Sequence, residues 1–165
     1  MQPKLITSNI LSWLDYCNCL LIRTPNSVIQ PLQKVQNFAA RLILMAPRHH
    51  HSTPLLKKLH WLPISERIIY KVACMCFHAI NGSGPTYLFE LLHIYTPSRT
   101  FRSSSDSHML KIQQYKRKTH SFCTFTYFGS SVWNSLPQDI RQCSTLTSFK
   151  TNLQTFLFSQ YFRSS

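Results

Sequence analysis

Leu59-His60-Trp61-Leu62-Pro63-Ile64 decides the fold, because this stretch launches the most clearly marked helix of the chain. Pro63 suits the first turn of a helix, where a missing N–H is no loss, and Glu66 then lies near the positive end of the helix dipole. Apolar residues follow at helical spacing until Asn81-Gly82, which is a stop signal. This stripe comprises Ile64, Ile68, Val72, Met75, Cys76, Ala79 and Ile80. We therefore predict a core helix over residues 64–80, with Trp61 as an apolar anchor at its entrance.

Two longer helices and one short helix are predicted before this stretch. Residues 3–22 and 31–46 both show helical periodicity, and Pro31 suits an early helical position. The first apolar face comprises Ile6, Ile10, Trp13, Leu14, Cys17, Leu20 and Leu21, and the second comprises Leu32, Val35, Ala39, Leu42 and Ala46. Lys34, Gln36, Asn37 and Arg41 fall outside the second face. We expect the two helices to form an antiparallel pair, followed by a short helix at residues 55–60.

The second half of the chain reads as a mixture of short elements. A helix is predicted at residues 86–94, an exposed Ser/Arg/Pro/Thr-rich connection at 96–106, and a final helix at 145–162 capped by Ser144 or Thr145. The runs 109–115 and 120–127 are rich in β-formers and flank the basic residues 116–119, which predicts a β-hairpin. The predicted fold is thus mainly α, with helical hairpins and a small β-hairpin in the C-terminal half. We expect three regions, at residues 1–95, 96–128 and 129–165.

Charge is the strongest compositional signal. Eighteen Lys and Arg against five Asp and Glu give the 165-residue chain a formal charge of +13. Such a surface repels itself unless a polyanion neutralises part of it, so nucleic acid is the first expected partner and an anionic membrane the second. No apolar run reaches the roughly 20 residues that span a bilayer, and the N-terminal region lacks the uninterrupted apolar core of a signal peptide. We expect an intracellular chain, cytoplasmic or nuclear, with six free thiols.

Carboxylates argue against catalysis by this chain. Polymerases and nucleases need at least two carboxylates converging on a divalent metal. The five acids are instead scattered singly along the sequence: Asp15, Glu66, Glu90, Asp106 and Asp139. The pairs Cys17/Cys19 and Cys74/Cys76 lack the spacing of zinc ribbons, and the histidines of His49-His50-His51 have no partner pattern that closes a site. We expect no catalytic residue, no metal site and no cofactor.

Basic residues form the candidate binding surface. The part of the chain after Thr96 combines cations with aromatic side chains, a composition suited to phosphates and unpaired bases. The excess of cations also extends to Arg41, Arg48, Lys57, Lys58, Arg141 and Lys150, which favours nucleic-acid contact over a merely solvated basic loop. The candidate nucleic-acid-binding residues are Arg99, Arg102, Lys111, Tyr115, Lys116, Arg117 and Lys118, together with Arg41, Arg48, Lys57 and Lys58.

Several motifs, in order along the chain, resemble one family. They include Leu14-Asp15-Tyr16-Cys17-Asn18-Cys19-Leu20-Leu21, residues 32–42, residues 59–64 and Val132-Trp133-Asn134-Ser135-Leu136-Pro137, with shorter matches at 81–82, 85–88, 95–99 and 148–150. Together they resemble the reverse-transcriptase polyprotein of non-LTR retrotransposons, long interspersed elements of the chicken-repeat and related clades. Residues 44–51 depart from that pattern, since the family more often has a Gly or Thr turn there.

The resemblance implies a C-terminal part of such a polyprotein, beginning in or just after the thumb, so that residues 1–95 would be thumb-like. The endonuclease and the palm with its Tyr-x-Asp-Asp metal box have no counterpart here. In the parent polyprotein this region would help to grip RNA template and primer during target-primed reverse transcription. We therefore expect a non-catalytic fragment that retains non-specific RNA or DNA binding. The alternative is a helical scaffold or interaction protein, self-associating through the N-terminal helix, or a decayed reading frame without selected function.

Overall fold

The chain is mainly α-helical in a computed structural model that describes residues 3–96, 108–113 and 124–163. Within these ranges eight α-helices are present and no β-strand is formed. They are α1 Pro3–Asp15, α2 Asn26–Leu44, α3 Ser52–Lys58, α4 Ile64–Ile80, α5 Thr86–Leu91, α6 Phe125–Ser135, α7 Gln138–Arg141 and α8 Leu146–Arg163, with a 3-10 turn at Asn18–Leu21. Over the described residues, no helix combines the length and the apolar character that crossing a membrane requires.

Helix α4 confirms the prediction made from the opening stretch. Its predicted stripe is buried at Ile64, Ile68, Val72, Cys76 and Ala79, each at most 4% exposed. The Pro63 carbonyl accepts the first helical hydrogen bond, from the N–H of Arg67. At the other end Gly82 has φ +64°, and the N–H groups of Gly82 and Ser83 donate to the carbonyls of Ala79 and His78. This pair of bonds is the Schellman motif, which explains why the helix stops where glycine permits a left-handed residue.

The stretch before α4 ends α3 in the same way, but without glycine. His60 has φ 53°, its N–H donates to the Lys57 carbonyl, and the Trp61 N–H donates to the Leu56 carbonyl. The turn delivers Trp61, 5% exposed, into an apolar cluster that also contains Leu56. The predicted role of Trp61 as an anchor is therefore confirmed.

The chain divides into two compact units, Met1–Ile69 with Thr155–Ser165, and Tyr70–Gln154. The first unit has a cluster of Ala39, Ala40, Leu55, Leu56 and Trp61, against which Ile10, Leu11 and Phe162 pack. In the second unit Phe149 is fully buried and stacks on Phe77 at 4.5 Å and on Trp133 at 5.8 Å between ring centroids. The three-region division predicted from the sequence stays a prediction.

The first predicted helix is shorter than expected, and its predicted apolar face is confirmed only in part, at Ile10 and Leu14. Helix α1 ends at Asp15, because Cys17 adopts a left-handed conformation with φ 50° and a 3-10 turn follows. Leu14 is buried and Leu11 packs on the core, whereas Trp13 is 82% exposed. The buried face of α1 includes Leu11 and excludes Trp13, so it is rotated about the helix axis relative to the predicted face. Apolar residues lie on nearly every side of this helix, and periodicity does not select among them.

The predicted apolar face of helix α2 is also confirmed only in part, since Ala39 and Ala46 pack in or on the core cluster. The helix begins at Asn26, earlier than predicted, and carries Pro31 inside. Val35 and Leu42, predicted to face the core, are 51% and 50% exposed, whereas Gln36, predicted to lie outside, is completely buried. Two apolar stripes run along this helix, and packing against α1 and α3 uses the one that contains Ala39.

The predicted β-hairpin is not supported. Residues 125–127, predicted as the end of its second strand, form the first turn of α6, and Leu110 makes only an isolated antiparallel bridge with Ile94. The tip at residues 116–119 lies outside the described residues. Aromatic and β-branched residues favour strands only when a partner strand is present, and helix packing overrides that preference here.

The predicted last helix is confirmed as α8. Thr145 caps it, because its hydroxyl accepts a hydrogen bond from the Ser148 N–H at 3.3 Å. On its predicted apolar face Phe149, Leu153 and Leu157 are at most 2% exposed.

Candidate nucleic-acid interface

Five of the predicted nucleic-acid-binding residues belong to the part of the chain that the structure describes: Arg41, Arg48, Lys57, Lys58 and Lys111. The other six, Arg99, Arg102, Tyr115, Lys116, Arg117 and Lys118, lie outside the described residues. The described five fall on two surfaces. Four belong to the α2–α3 region of the first unit, and Lys111 belongs to the second unit.

The α2–α3 connection holds its shape through Arg41. The guanidinium donates from Nε and Nη2 to the His50 carbonyl, at 3.3 and 3.1 Å. The loop also turns tightly, since the His50 N–H donates to the Pro47 carbonyl at 3.1 Å. Arg48 lies within that turn and is exposed. Arg41 thus positions the loop, and Arg48 is presented to solvent by it.

Lys57 and Lys58 lie in the last turn of α3, where cations also favour the negative end of the helix dipole. Both side chains are exposed. The Lys57 ammonium lies 6.0 Å from the centroid of the Phe162 ring, at the outer limit of a cation–π contact.

Acidic side chains are missing from this region of the sequence. From Tyr16 to Ser65 there is no Asp or Glu, while Arg23, Lys34, Arg41, Arg48, Lys57 and Lys58 all fall in that run. Of the nearest acids, Asp15 accepts hydrogen bonds from both Nε and Nη2 of Arg67 in an ion pair. Burial raises the pKa of the Glu66 carboxyl, an effect that a hydrogen bond from Ser65 partly opposes.

In the second unit, side chains of α6 make hydrogen bonds to the backbone next to Lys111. Asn134 receives the Leu110 N–H on its side-chain oxygen at 2.9 Å and donates to the Leu110 carbonyl at 2.8 Å. Trp133 donates from its indole N–H to the His108 carbonyl at 2.7 Å. The Trp133-Asn134 pair therefore fastens the segment that carries Lys111 onto α6. An open cavity of about 750 Å³ adjoins it, lined by Tyr95, Lys111 and Asn134 among others.

The Arg141 guanidinium and the Cys76 thiol are both buried in the fold and are not available to a ligand. Arg141, which contributed to the predicted basic excess, is 6% exposed and donates to the Leu136 carbonyl and the Met109 sulfur. Burial raises the pKa of the Cys76 thiol to about 12, with a smaller contribution from neighbouring Cys74. Both thiols are buried.

The described residues hold no group of three or more His, Cys, Asp or Glu side chains arranged to bind a metal ion. His49, His50 and His51 are exposed, in a loop. Cys17, Cys19, Cys74, Cys76 and Cys143 are free thiols.

Sequence reasoning missed the polar contacts that join α2 to the start of α4. Gln33 accepts the Ile64 N–H at 2.9 Å, and Gln36 donates to the Leu62 carbonyl at 2.8 Å. In the sequence these contacts are marked only by two glutamines three residues apart on one side of a helix. That pattern is also common on solvated faces, so it does not predict buried hydrogen bonds.

Comparison of the chain with protein-family models, curated proteins and solved structures finds no match. The resemblance to retrotransposon reverse transcriptases stays a prediction from the motifs.

Proposed function

We propose that this chain is a non-catalytic fragment of a retrotransposon-type reverse transcriptase that binds RNA or DNA without sequence specificity. The observation that carries the proposal is that Arg48, Lys57 and Lys58 are all exposed, in a run of sequence that contains no acid. Phosphates gain from such cations because no neighbouring carboxylate in the run competes for them, and released counterions supply the free energy.

A salt titration tests this role. Binding of a fluorescent single-stranded RNA is measured by anisotropy between about 50 and 200 mM salt, where each neutralised phosphate contributes about −0.7 to the log–log slope. The triple variant Arg48→Ala, Lys57→Ala, Lys58→Ala should bind more weakly and flatten the slope by about 2.

The matched control removes the same net charge elsewhere. Lys34, Lys71 and Lys150 are exposed lysines outside the α2–α3 connection, and their joint replacement by Ala should leave most of the slope intact. Equal flattening in both variants would show that only net charge matters and would remove the basic residues of the α2–α3 region from the proposal. A third variant, with Lys116, Arg117 and Lys118 changed to Ala, measures the contribution predicted from sequence for residues 116–118.

A second candidate function, self-association, is favoured by one specific observation. Trp13, Tyr16 and Leu20 are 82%, 79% and 77% exposed around the end of α1. Large apolar side chains left in water at one place promote association. Sedimentation velocity at micromolar concentration should therefore detect oligomers of the unaltered chain. The double variant Trp13→Gln, Leu20→Gln should be monomeric, whereas the control Ser12→Gln, on the same exposed segment, should still form oligomers. A monodisperse monomer of the unaltered chain would contradict this role.

A further inference from the structure

Helix α2 carries a second apolar stripe that the described fold leaves uncovered. Val28, Val35, Phe38 and Leu42 are between 44% and 59% exposed, and Met45, the left-handed residue that follows the helix, is 92% exposed. The four helical residues occupy the a and d positions of a heptad repeat, in which Pro31 takes the d position after Val28. We call this set the exposed α2 stripe. It is distinct from the face that packs into the core, where Gln36, Ala39 and Ala40 are at most 1% exposed.

The dimensions of the exposed α2 stripe fit one helix. From Val28 to Leu42 the helical part of the stripe runs about 21 Å at 1.5 Å per residue. It is only one or two residues wide at each turn, which is the width of a helix–helix seam and narrower than the apolar face of a helix lying in a membrane. One edge of it is closed, because Ala39 at an e position is buried and Leu32 at the preceding e position is half-buried. A single partner helix of about five turns would cover it.

The charges beside the stripe select the partner's chemistry. Lys34 and Arg41 precede Val35 and Leu42, so both occupy g positions, where seams form interhelical ion pairs. A second parallel copy would set Lys34 against Ala39, which gains no ion pair, and an antiparallel copy would bring like charges together. Arg41 is engaged with the His50 carbonyl, so an acidic partner gains its ion pair at exposed Lys34, and it meets no carboxylate between Tyr16 and Ser65.

We infer that α2 is a docking surface for an amphipathic helix whose apolar seam is flanked by Glu or Asp. The Lys34 ammonium steers and registers that helix, while Val35, Phe38 and Leu42 supply the buried contact. This surface is separate from the cations of the α2–α3 connection and does not depend on nucleic-acid binding.

The test uses the full chain and three synthetic helical peptides of about 20 residues. The first has Leu at a and d with Glu at e and g, the second replaces Glu with Lys, and the third is a scrambled form of the acidic peptide with no heptad. Only the first should bind tightly in fluorescence titrations at about 150 mM salt, where long-range attraction between charges is largely screened. The variant Val35→Gln with Phe38→Gln should weaken this binding at least about tenfold, because two anchors are lost.

Two controls make the result decisive. Gln30→Asn changes an exposed polar residue of the same helix and should leave the affinity within about twofold. Lys34→Glu should weaken the acidic peptide several-fold and strengthen the basic one. Far-UV circular dichroism confirms that the variants keep their helix content.

Four results would overturn the inference. They are equal binding of the heptad and scrambled acidic peptides, binding unaffected by the stripe variant, self-association that the stripe variant abolishes, and stripe-dependent binding to phosphatidylglycerol vesicles in the absence of peptide binding. The third would assign the surface to a second copy and the fourth to a membrane.

Discussion

Replacing Gln36 with Met tests how the entrance to α4 is held. The Gln36 side chain is completely buried, donates to the Leu62 carbonyl at 2.8 Å, and accepts from the Gln33 amide at 2.9 Å. Methionine has nearly the same length, so the variant removes these two hydrogen bonds while changing little volume. It also takes this donor away from a carbonyl of Leu62, a residue only 5% exposed.

The expected loss of stability follows from those contacts. Each lost hydrogen bond costs about 1 kcal/mol, and the carbonyl deprived of its donor adds about 1–3 kcal/mol. Part of this cost is offset because a methionine no longer buries an amide. We expect a net loss of about 2–4 kcal/mol in the free energy of unfolding, or a fall of about 1–2 M in the urea midpoint at an m-value of about 2 kcal/mol/M.

The assay is urea unfolding followed by far-UV circular dichroism and tryptophan fluorescence. Asn37→Ala is the matched control, since half-buried Asn37 is one residue away and accepts a hydrogen bond from the same Gln33 amide at 2.9 Å. It should cost less than about 1 kcal/mol. If Gln36→Met proves no more damaging than Asn37→Ala, the glutamine does not hold the α4 entrance and the reasoning fails.

Three further predictions concern other parts of the chain. Asp15→Asn should cost about 1–2 kcal/mol of stability in urea unfolding, less at 1 M salt, because it removes the charge that receives two N–H groups of Arg67. A loss relative to the unaltered chain that is the same at both salt concentrations would refute this. The pKa of the Cys76 thiol is raised from 9.0 to about 12, so its contribution to stability is complete below pH 9 and is lost as the pH rises from 9 to 12, at up to about 1.4 kcal/mol per pH unit. The fall in stability above pH 9 should accordingly be shallower in Cys76→Ala, and parallel curves would count against the shift. Finally, the purified chain should incorporate no nucleotides with Mg²⁺ or Mn²⁺ in a primer-extension assay, and activity that disappears on changing one of the five acids would overturn the non-catalytic proposal.

The candidate interface was predictable only in part from the sequence. Counting charges finds Arg48, Lys57 and Lys58, because exposure is the normal state of such side chains. It does not find that Arg41 is engaged with the His50 carbonyl, or that Arg141 is buried. Those outcomes depend on which backbone carbonyls the fold leaves near each guanidinium, and neighbours distant in sequence decide that.

Local signals in the amino-acid sequence are enough to place two of the helices. Helix α4 begins after Pro63 and stops before Gly82, and Thr145 starts α8, because proline, glycine and a capping hydroxyl act on the backbone within one turn. Tertiary structure alone decided which side of α2 is buried. That helix has two faces that could pack against the core. The face with Ala39 and Gln36 is the buried one, because small side chains allow close packing and the buried Gln36 amide donates to the Leu62 carbonyl. Periodicity measures how apolar a face is, whereas burial depends on the shape and hydrogen-bonding groups of the surface that meets it.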